Sequence, residues 1–248
     1  VEIGFSRTNI VTPYQGIEAG NLHGLTINGV DIRTGSDNGL LAGGSIAAQF
    51  EIRDEIAVSA QAQIDALARD MVERFQDPTV DPTLLGTAAG LFTDKGHAFM
   101  AADEVGLAQR ISVNALVDPS IGGETWHLRD GLGATAPGDA GDGTLLNRLA
   151  DALSSRRIPQ SGLFTSNAYS ANDLASALAS NFGTERSASE QKLSFSAAQV
   201  DELTERLLSE GVDSDQELQR LLLVEQSYAA NARMIQVVDE MMQTLLRI

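Results

Sequence analysis

The chain has 248 residues, a formal net charge of −17 and no cysteine, and hydrophobic residues make up 43% of it. This length is enough for one large domain or two small ones, and the apolar share is typical of a folded protein. The acidic excess argues against a nucleic-acid partner, because phosphate contacts need clustered cations. The absence of cysteine excludes disulfide scaffolds and thiolate metal sites. The chain contains no run of 18 apolar residues, so the sequence predicts no membrane span.

Residues 1–44 predict a β-rich segment that forms part of an outer domain. Within Leu25–Ile32, an Asn-Gly pair lies between two short alternating runs. This arrangement is a strong local signal for a β-hairpin, because both residues readily adopt the positive φ angles of a tight turn.

A helical middle domain with short strands and loops is predicted over residues 45–185. From Ser45 to Phe75, steps of +4 and +3 recur without an intervening Pro or Gly, which predicts one helix of about 30 residues that Pro78 ends. We expect its seam to pack on the rest of the chain as in an ordinary bundle. The seam consists of Ile46, Phe50, Arg53, Ala57, Ala60, Ile64, Leu67 and Met71.

Short elements are predicted after this helix. Gly and Pro interrupt the apolar runs GLFTD, RISVNALVDPS and ETWHLRDG between residues 77 and 145, which favours short strands and turns. Leu145–Ser155 predicts a short amphipathic helix. Helix is predicted again from about Ala171, and once more from Ser196, which has capping-box spacing to Gln199. Gly211 is expected to end that helix.

Residues 186–248 predict a C-terminal helical assembly region, whose last helix follows a second capping box at Ser214 and Glu217. From Leu221 a strict heptad seam runs to the end of the chain, and apolar residues beside the seam widen the hydrophobic face of the helix. Asn231 occupies a seam position, where a polar residue can specify register and partner. We expect an assembly interface formed by Leu218, Leu221, Leu222, Val224, Tyr228, Asn231, Arg233, Ile235, Val238, Met242 and Leu245. The fold class predicted is α+β, mainly α, with long heptad-patterned helices in an elongated bundle.

Several short motifs resemble catalytic sequences but lack the required context. Ser45 follows two glycines as in a nucleophile elbow, yet it also suits a helix N-cap, which is our interpretation. Residues 131–136 (GLGATA) match G-x-G-x-x-A, but a Pro-Gly pair stands where the dinucleotide-binding helix would begin, so a turn is predicted. Ser189 and Lys192 have S-x-x-K spacing without a K-T-G motif, which favours a surface helix or loop.

Metal-binding patterns are equally weak. Asp139 and Asp142 lie in PGDAGDG, which lacks the further oxygen ligands of a calcium loop. None of the three histidines has metal-helix spacing to another ligand: His23, His97 and His127. We therefore expect no catalytic, cofactor-binding or metal site, and a serine hydrolase using Ser45 is the enzyme alternative.

The C-terminal sequence GVDSDQELQRLLLVEQSYAANARMIQVVDEMMQTLL resembles the C-terminal signature of axial flagellar proteins. It departs from that pattern at Ser227 and Met234. Upstream, GGSIAAQFEIRDE (Gly43–Glu55), FTDKG and RISVNALVDPS are similar to segments of the hook–filament junction proteins (first hook-associated protein, FlgK family). The matching C-terminal residues are Gly211, Val212, Asp215, Glu217, Leu221, Gln226, Tyr228, Ala230, Asn231, Ala232, Arg233, Ile235, Asp239, Glu240 and Met241.

The resemblance implies a structural, non-enzymatic subunit at the hook–filament junction, outside the cell, with no cofactor. It implies that this chain is the C-terminal half of the protein, without the N-terminal helix that pairs with the last helix. It further implies export unfolded through the flagellar type III channel and protection of the last helix before export by a FlgN-type chaperone in the cytoplasm. The last helix is expected to be disordered in the isolated monomer and to fold on docking against its partner. The expected partners are neighbouring axial subunits: hook protein, the other junction protein and the chain itself. Hook protein and the second junction protein are alternatives that share the terminal helix, and GGSIAAQFEIRDE favours the first junction protein.

Overall fold

The computed structural model describes residues 2–5, 14–15, 22, 24–32, 44–210 and 214–246, and it divides the chain into two compact units, residues 1–182 and 183–248. Helices predominate, and among the described residues the strands form two small sheets. The predicted α+β, mainly α class is therefore confirmed. The elongated bundle and the three-part division at residues 44 and 185 stay predictions.

The N-terminal sheet contains the predicted hairpin. Strands β1 (Ile3–Phe5), β2 (Leu25–Ile27) and β3 (Val30–Ile32) are antiparallel, in that order across the sheet. Asn28 and Gly29 form the turn with φ angles of 52° and 76°. Two positive φ angles in a two-residue loop are the signature of the hairpin turn that Asn-Gly favours. The hairpin prediction is confirmed.

The predicted long helix runs from Gly44 to Gln76 with a change of winding inside it. Helix α1 (Gly44–Glu51) passes into a π-helical segment (Ile52–Ile56) and then into α2 (Ala57–Gln76). It begins one residue before the predicted cap, so Ser45 lies in the first turn. Asp77 is extended, with ψ of 120°, as expected for a residue before proline. The sequence spacing did not predict the π-helical segment, because the +4 and +3 steps continue through it from Phe50 to Ala57 without a break.

The buried face of this helix differs from the predicted seam. The first half is mostly exposed, including Ile46 and Ile56, and the second half buries Ala68, Val72 and Phe75 together with three charged residues. The seam residue Ile64 is exposed, and Leu67 and Met71 are only half-buried. The predicted seam was wrong in its second half because buried Asp65, Asp70 and Arg74 find hydrogen-bond partners there, so the core face includes positions that hydropathy assigns to solvent.

Short elements follow, as predicted for residues 77–145. They comprise β4 (Phe92–Asp94), which pairs with β5 (Ile111–Val113), helices α3 (Leu107–Arg110) and α4 (His127–Asp130), and three 3-10 turns at Ala101–Asp103, Ala115–Val117 and Pro119–Ile121. The predicted helix at Leu145–Ser155 is confirmed as α5 (Thr144–Ser154). One correction is needed: the strand-like run WHLR forms the helical turn of α4.

Helix α2 provides one side of the core of the first unit. Ala68 and Val72 pack with Phe99 and Leu107, and the rings of Phe75 and Phe92 meet edge to face at 5.3 Å. A second cluster joins Leu84, Val117 and Leu132.

Buried carboxylates tie the loops of this unit to its helices. Asp65 accepts hydrogen bonds from the backbone N–H groups of Gly106 (2.7 Å) and Ala108 (2.8 Å). Asp81 accepts one from Leu132 N (2.9 Å) and another from Thr83 N (2.9 Å). Charge-assisted bonds of this kind hold irregular backbone that has no ladder of its own.

Two long helices complete the chain: α6 (Ala171–Glu210) and α7 (Ser214–Leu246). The predicted helix start at Ser196 was wrong, because α6 continues through it. Gly183 is the only helix breaker within that stretch, and one glycine costs only about 1 kcal/mol in a helix. The end of α6 at Glu210 agrees with the predicted stop, although Gly211 itself lies outside the described residues. The start of α7 at Ser214 agrees with the second capping box, whose Ser214 side chain is likewise not described.

Candidate assembly surface

Helix α7 carries the predicted interface residues on one uninterrupted helix. Every described side chain from Glu217 to Met242 is exposed, and among the large apolar residues the exposed fraction runs from 53% at Val237 to 79% at Tyr228. Ten of the eleven predicted interface residues lie in this range, and the side chain of Leu245 lies outside the description. The structure therefore places these residues on one helix and leaves the side chains of the ten exposed.

The apolar surface of α7 is wider than the heptad seam. Leu223, Met234 and Val237 lie off the seam and are exposed as well. A helix that is apolar around most of its circumference is normally buried, whereas the side chains of α7 are exposed. The predicted interface included none of these three residues. Met234 and Val237 are visibly apolar in the sequence, but neither occupies a heptad seam position.

Two polar residues interrupt the apolar surface. Asn231 is exposed at its seam position, and Arg233 is exposed two residues further along the helix. Three alanines surround Asn231 within Ala229–Ala232, and their small side chains allow another helix to approach closely. A polar seam residue amid such small neighbours is a device for fixing register rather than for adding stability.

The second half of α6 has a similar exposed stripe that sequence analysis missed. Leu193, Val200, Leu203 and Leu207 recur at +7, +3 and +4, and their exposed fractions lie between 60% and 73%. All side chains from Gly183 to Ser209 are exposed. The signal was present in the spacing, but the predicted break near Ser196 divided the stripe between two elements. Residues 183–242 thus contain two helices with apolar stripes that no described residue covers.

The charged cluster inside the first unit is centred on the buried ion pair of Arg74 and Asp70. Arg74 donates to Asp70 Oδ2 at 2.6 Å and to the carbonyl oxygens of Ala152 (2.8 Å), Ser155 (2.6 Å) and Tyr169 (2.8 Å). Both charged side chains are almost completely buried, with 2% and 1% exposed. A guanidinium whose donors face an aspartate and three backbone carbonyls joins α2 to the loop around α5, which is a structural task.

The acidic residues of the PGDAGDG region also serve local structure. Asp142 accepts a hydrogen bond from Thr144 N at 2.9 Å at the start of α5, and its bonds to Thr144 lower the pKa of the Asp142 carboxyl. Asp130 pairs with Arg129 at 2.7 Å, which likewise lowers the pKa of Asp130. In the part of the chain that the structure describes, no three His, Asp or Glu side chains are grouped so that they could hold a metal ion.

The remaining near-motifs have ordinary structural surroundings. The predicted turn at residues 131–136 is confirmed: Gly131 has φ of 112°, and a Cβ added at Gly133 would lie 2.1 Å from Thr83 O. Ser189 lies on the exposed surface of α6 and donates to Glu185 O at 3.0 Å, which confirms the surface interpretation. Ser45 is exposed in the first turn of α1. His127 Nδ1 lies 3.0 Å from Gly131 O and its ring stacks on Trp126, whereas His23 is outside the described residues.

Among the described residues, no helix combines the length and the apolar character needed to cross a lipid bilayer. Charged residues also occur along both long helices, α6 and α7.

Comparison with known proteins gives one match, at this surface. The family model described as flagellar basal body rod FlgEFG protein C-terminal matches residues 203–248, which include the end of α6 and all of α7. No curated protein and no solved structure matches the chain. The match supports a structural axial protein of the flagellum that associates with other flagellar subunits.

Proposed function

We propose that the chain is a structural subunit of the junction between the flagellar hook and filament, and that it assembles through α7. The observation that carries the proposal is the exposed apolar surface of α7, which coincides with the segment matched by an axial flagellar family. The resemblance of Gly43–Glu55 to the junction proteins supports the junction in particular.

Assembly would bury the apolar side chains of α7 that are exposed in this chain. Burying one Leu, Ile or Met side chain stabilises by about 1.5–3 kcal/mol. The seam residues Leu221, Val224, Ile235 and Met242 are 57–70% exposed, so covering all four represents about 4 kcal/mol or more. Part of that energy goes into ordering α7, because an isolated helix gains most of its stability from packing.

Before export, a different partner must bind the apolar surface of α7. We propose that a FlgN-type chaperone in the cytoplasm binds α7, and that hook protein, the other junction protein or neighbouring copies replace it outside the cell. The seam residues Tyr228 and Ile235 are the anchors for both partners, since exposed aromatic and large aliphatic side chains commonly dominate interface energies.

Deletion of residues 212–248 tests the proposal. The first unit contains its own core, so the truncated chain is expected to unfold with the same midpoint for that unit and to be absent from purified flagella. Incorporation of the truncated chain at the wild-type level would refute the assembly role of α7. For the chaperone, Ile235→Asp is expected to abolish capture in a pull-down, whereas Gln236→Asp, one position off the seam, retains it. Equal capture of both variants would refute the chaperone contact.

A position in the hook or rod is the second candidate, because the matching family is described by the rod. Immunogold labelling of isolated hook–basal bodies with attached filaments separates the two. Label confined to the hook–filament boundary supports the junction, and label along the hook or below it supports the alternative. Hydrolysis through Ser45 is addressed by an esterase screen of Ser45→Ala against the unaltered chain, in which any Ser45-dependent activity would contradict a purely structural role.

A further inference from the structure

We propose that α6 of one copy of this chain pairs in parallel with α7 of the next copy. The inference rests on the proposed function for α7 as an assembly surface and adds the identity of one partner segment. The α6 stripe is defined by Leu193, Val200, Leu203 and Leu207, all exposed, and the α7 seam begins at Leu221.

The charges beside the two stripes are complementary. In heptad terms, Lys192 and Arg206 occupy the g positions that flank the α6 stripe, 14 residues apart. Glu225 and Asp239 occupy the e positions that flank the α7 seam, also 14 residues apart. Residues at e and g lie next to each other across a coiled coil, where their charges set partner and orientation.

One parallel register satisfies both charge pairs. Aligning Leu193 with Leu221 brings Lys192 beside Glu225 and Arg206 beside Asp239, because a g residue meets the e residue five positions further along its partner. A shift by one heptad in either direction replaces Glu225 by Ala232 or Leu218 as the neighbour of Lys192. In the matched register the apolar layers are Leu193 with Leu221, Val200 with Tyr228, and Leu207 with Ile235. Asn231 faces Leu203 and Ser196 faces Val224, and these two polar layers lower the stability of the pair.

The antiparallel alternative lacks this complementarity. If α6 and α7 folded back on each other as a hairpin, Arg206 would lie beside Arg220, a pair of like charges. The same arrangement would pair Leu203 with Leu221 and Val200 with Val224, but it would place Leu193 against Asn231 and Leu207 against Glu217.

The parallel pair must form between copies. In the matched register, Ser214 would lie beside residue 186, which is 24 residues, or about 36 Å, from Glu210 along α6. The four Cα–Cα steps from Glu210 to Ser214 span about 15 Å at most. One chain therefore cannot make both halves of the pair. Each copy offers one α6 and one α7, so the contact is head to tail and propagates into a ring or a helical array.

Charge reversal with complementation tests the pairing in the full 248-residue chain. Variant A carries Lys192→Glu and Arg206→Glu, and variant B carries Glu225→Lys and Asp239→Lys. Sedimentation velocity from 5 to 500 µM is expected to show self-association of the unaltered chain. The apparent Kd is expected to rise by about tenfold or more in A alone and in B alone, and an equimolar mixture of A and B is expected to recover association. A control with Asp201→Lys and Glu205→Lys, which lie on the outer side of α6, is expected to behave like the unaltered chain.

The pairing would be overturned by a monomeric unaltered chain over this range, by A and B associating as the unaltered chain does, or by a mixture no stronger than either variant alone. Far-UV circular dichroism of each variant checks that helix content is unchanged. Cross-linking gives an independent readout, because the chain has no native cysteine. A short bis-maleimide is expected to join Gln199→Cys chains to Ala232→Cys chains in a mixture. Intramolecular cross-linking of a Gln199→Cys, Ser227→Cys double variant would instead support the hairpin and overturn the pairing. Loss of Ile235→Asp from flagella alongside unaffected charge variants would refute the α6 pairing alone and leave the proposed function standing.

Discussion

Replacement of Arg74 by Met is expected to destabilise the first unit strongly. The substitution preserves most of the side-chain volume but removes the donors to Asp70 and to the carbonyls of Ala152, Ser155 and Tyr169. Asp70 then stays buried with only Arg157, whose Nε lies 3.2 Å from Asp70 Oδ1, as a compensating cation. Removing one partner of a buried ion pair costs about 3–5 kcal/mol.

The matched control is Arg69→Met on the same helix. Arg69 pairs with Glu73 and Glu104 at 2.7 Å each, but these side chains keep 16–22% of their surface exposed. Solvent screening reduces the value of such pairs, so a cost of about 1 kcal/mol is expected. The two substitutions remove the same chemical group from one helix, but only Arg74 is almost completely buried and bonded to backbone carbonyls.

Urea unfolding followed by the fluorescence of Trp126 measures both variants. Trp126 is the single tryptophan and lies in the first unit, so its signal reports the unfolding of that unit. With a denaturant slope of about 2 kcal/mol/M, a loss of 4 kcal/mol lowers the midpoint by about 2 M. An Arg74→Met variant within about 1 kcal/mol of the unaltered chain, or no less stable than Arg69→Met, would refute the assignment of Arg74 as the central tie of this unit.

Three further predictions concern acid stability, loop packing and the dynamics of α7. The hydrogen bond from Arg110 lowers the pKa of Asp94 below its ordinary value of 3.8, so this pair stabilises the fold above that pH and the stabilisation is lost as the pH falls through the lowered pKa. Asp94→Asn should therefore lower the urea midpoint far more at pH 5 than at pH 2.5. An equal effect at both pH values would contradict the stabilising role of the ionised pair. Gly133→Ala should lower the free energy of unfolding by about 1–3 kcal/mol, because the new Cβ would lie 2.1 Å from Thr83 O. Gly141→Ala, whose Cβ would meet open space, should leave it unchanged. Equal urea midpoints for the two variants would show that the loop adapts. Amide hydrogen exchange in the free chain should be fast throughout α7 and slow in the second half of α2, and strong protection of α7 in a monomer would exclude folding on docking.

The sequence predicted those elements whose signals are local. Asn28-Gly29 defined the hairpin because few residue pairs tolerate two positive φ angles, and Pro78 defined the end of α2 because it restricts the residue before it. The exposed seam of α7 was predictable because an apolar heptad pattern does not depend on the rest of the chain.

Features that depend on tertiary contacts were not predictable. The buried face of α2 includes Asp65, Asp70 and Arg74, whose partners lie between 41 and 95 residues away along the chain in most of their hydrogen bonds. The continuity of α6 through Ser196 was missed because a capping-box spacing also occurs by chance inside helices. That error hid the stripe from Leu193 to Leu207, which carries the inferred contact between copies.

The central claim is that the α7 seam incorporates this chain into the flagellum, and the most direct test compares two neighbouring substitutions. Ile235→Asp places a charge on the seam, and Gln236→Asp places the same charge one position away from it. Each variant is expressed in a strain lacking the native protein, and the amount in purified flagella is quantified by immunoblotting against the amount exported. We expect the incorporated fraction of Ile235→Asp to fall at least about tenfold, since a buried unpaired carboxylate costs several kcal/mol, while Gln236→Asp incorporates normally. Equal incorporation of the two variants would contradict the account.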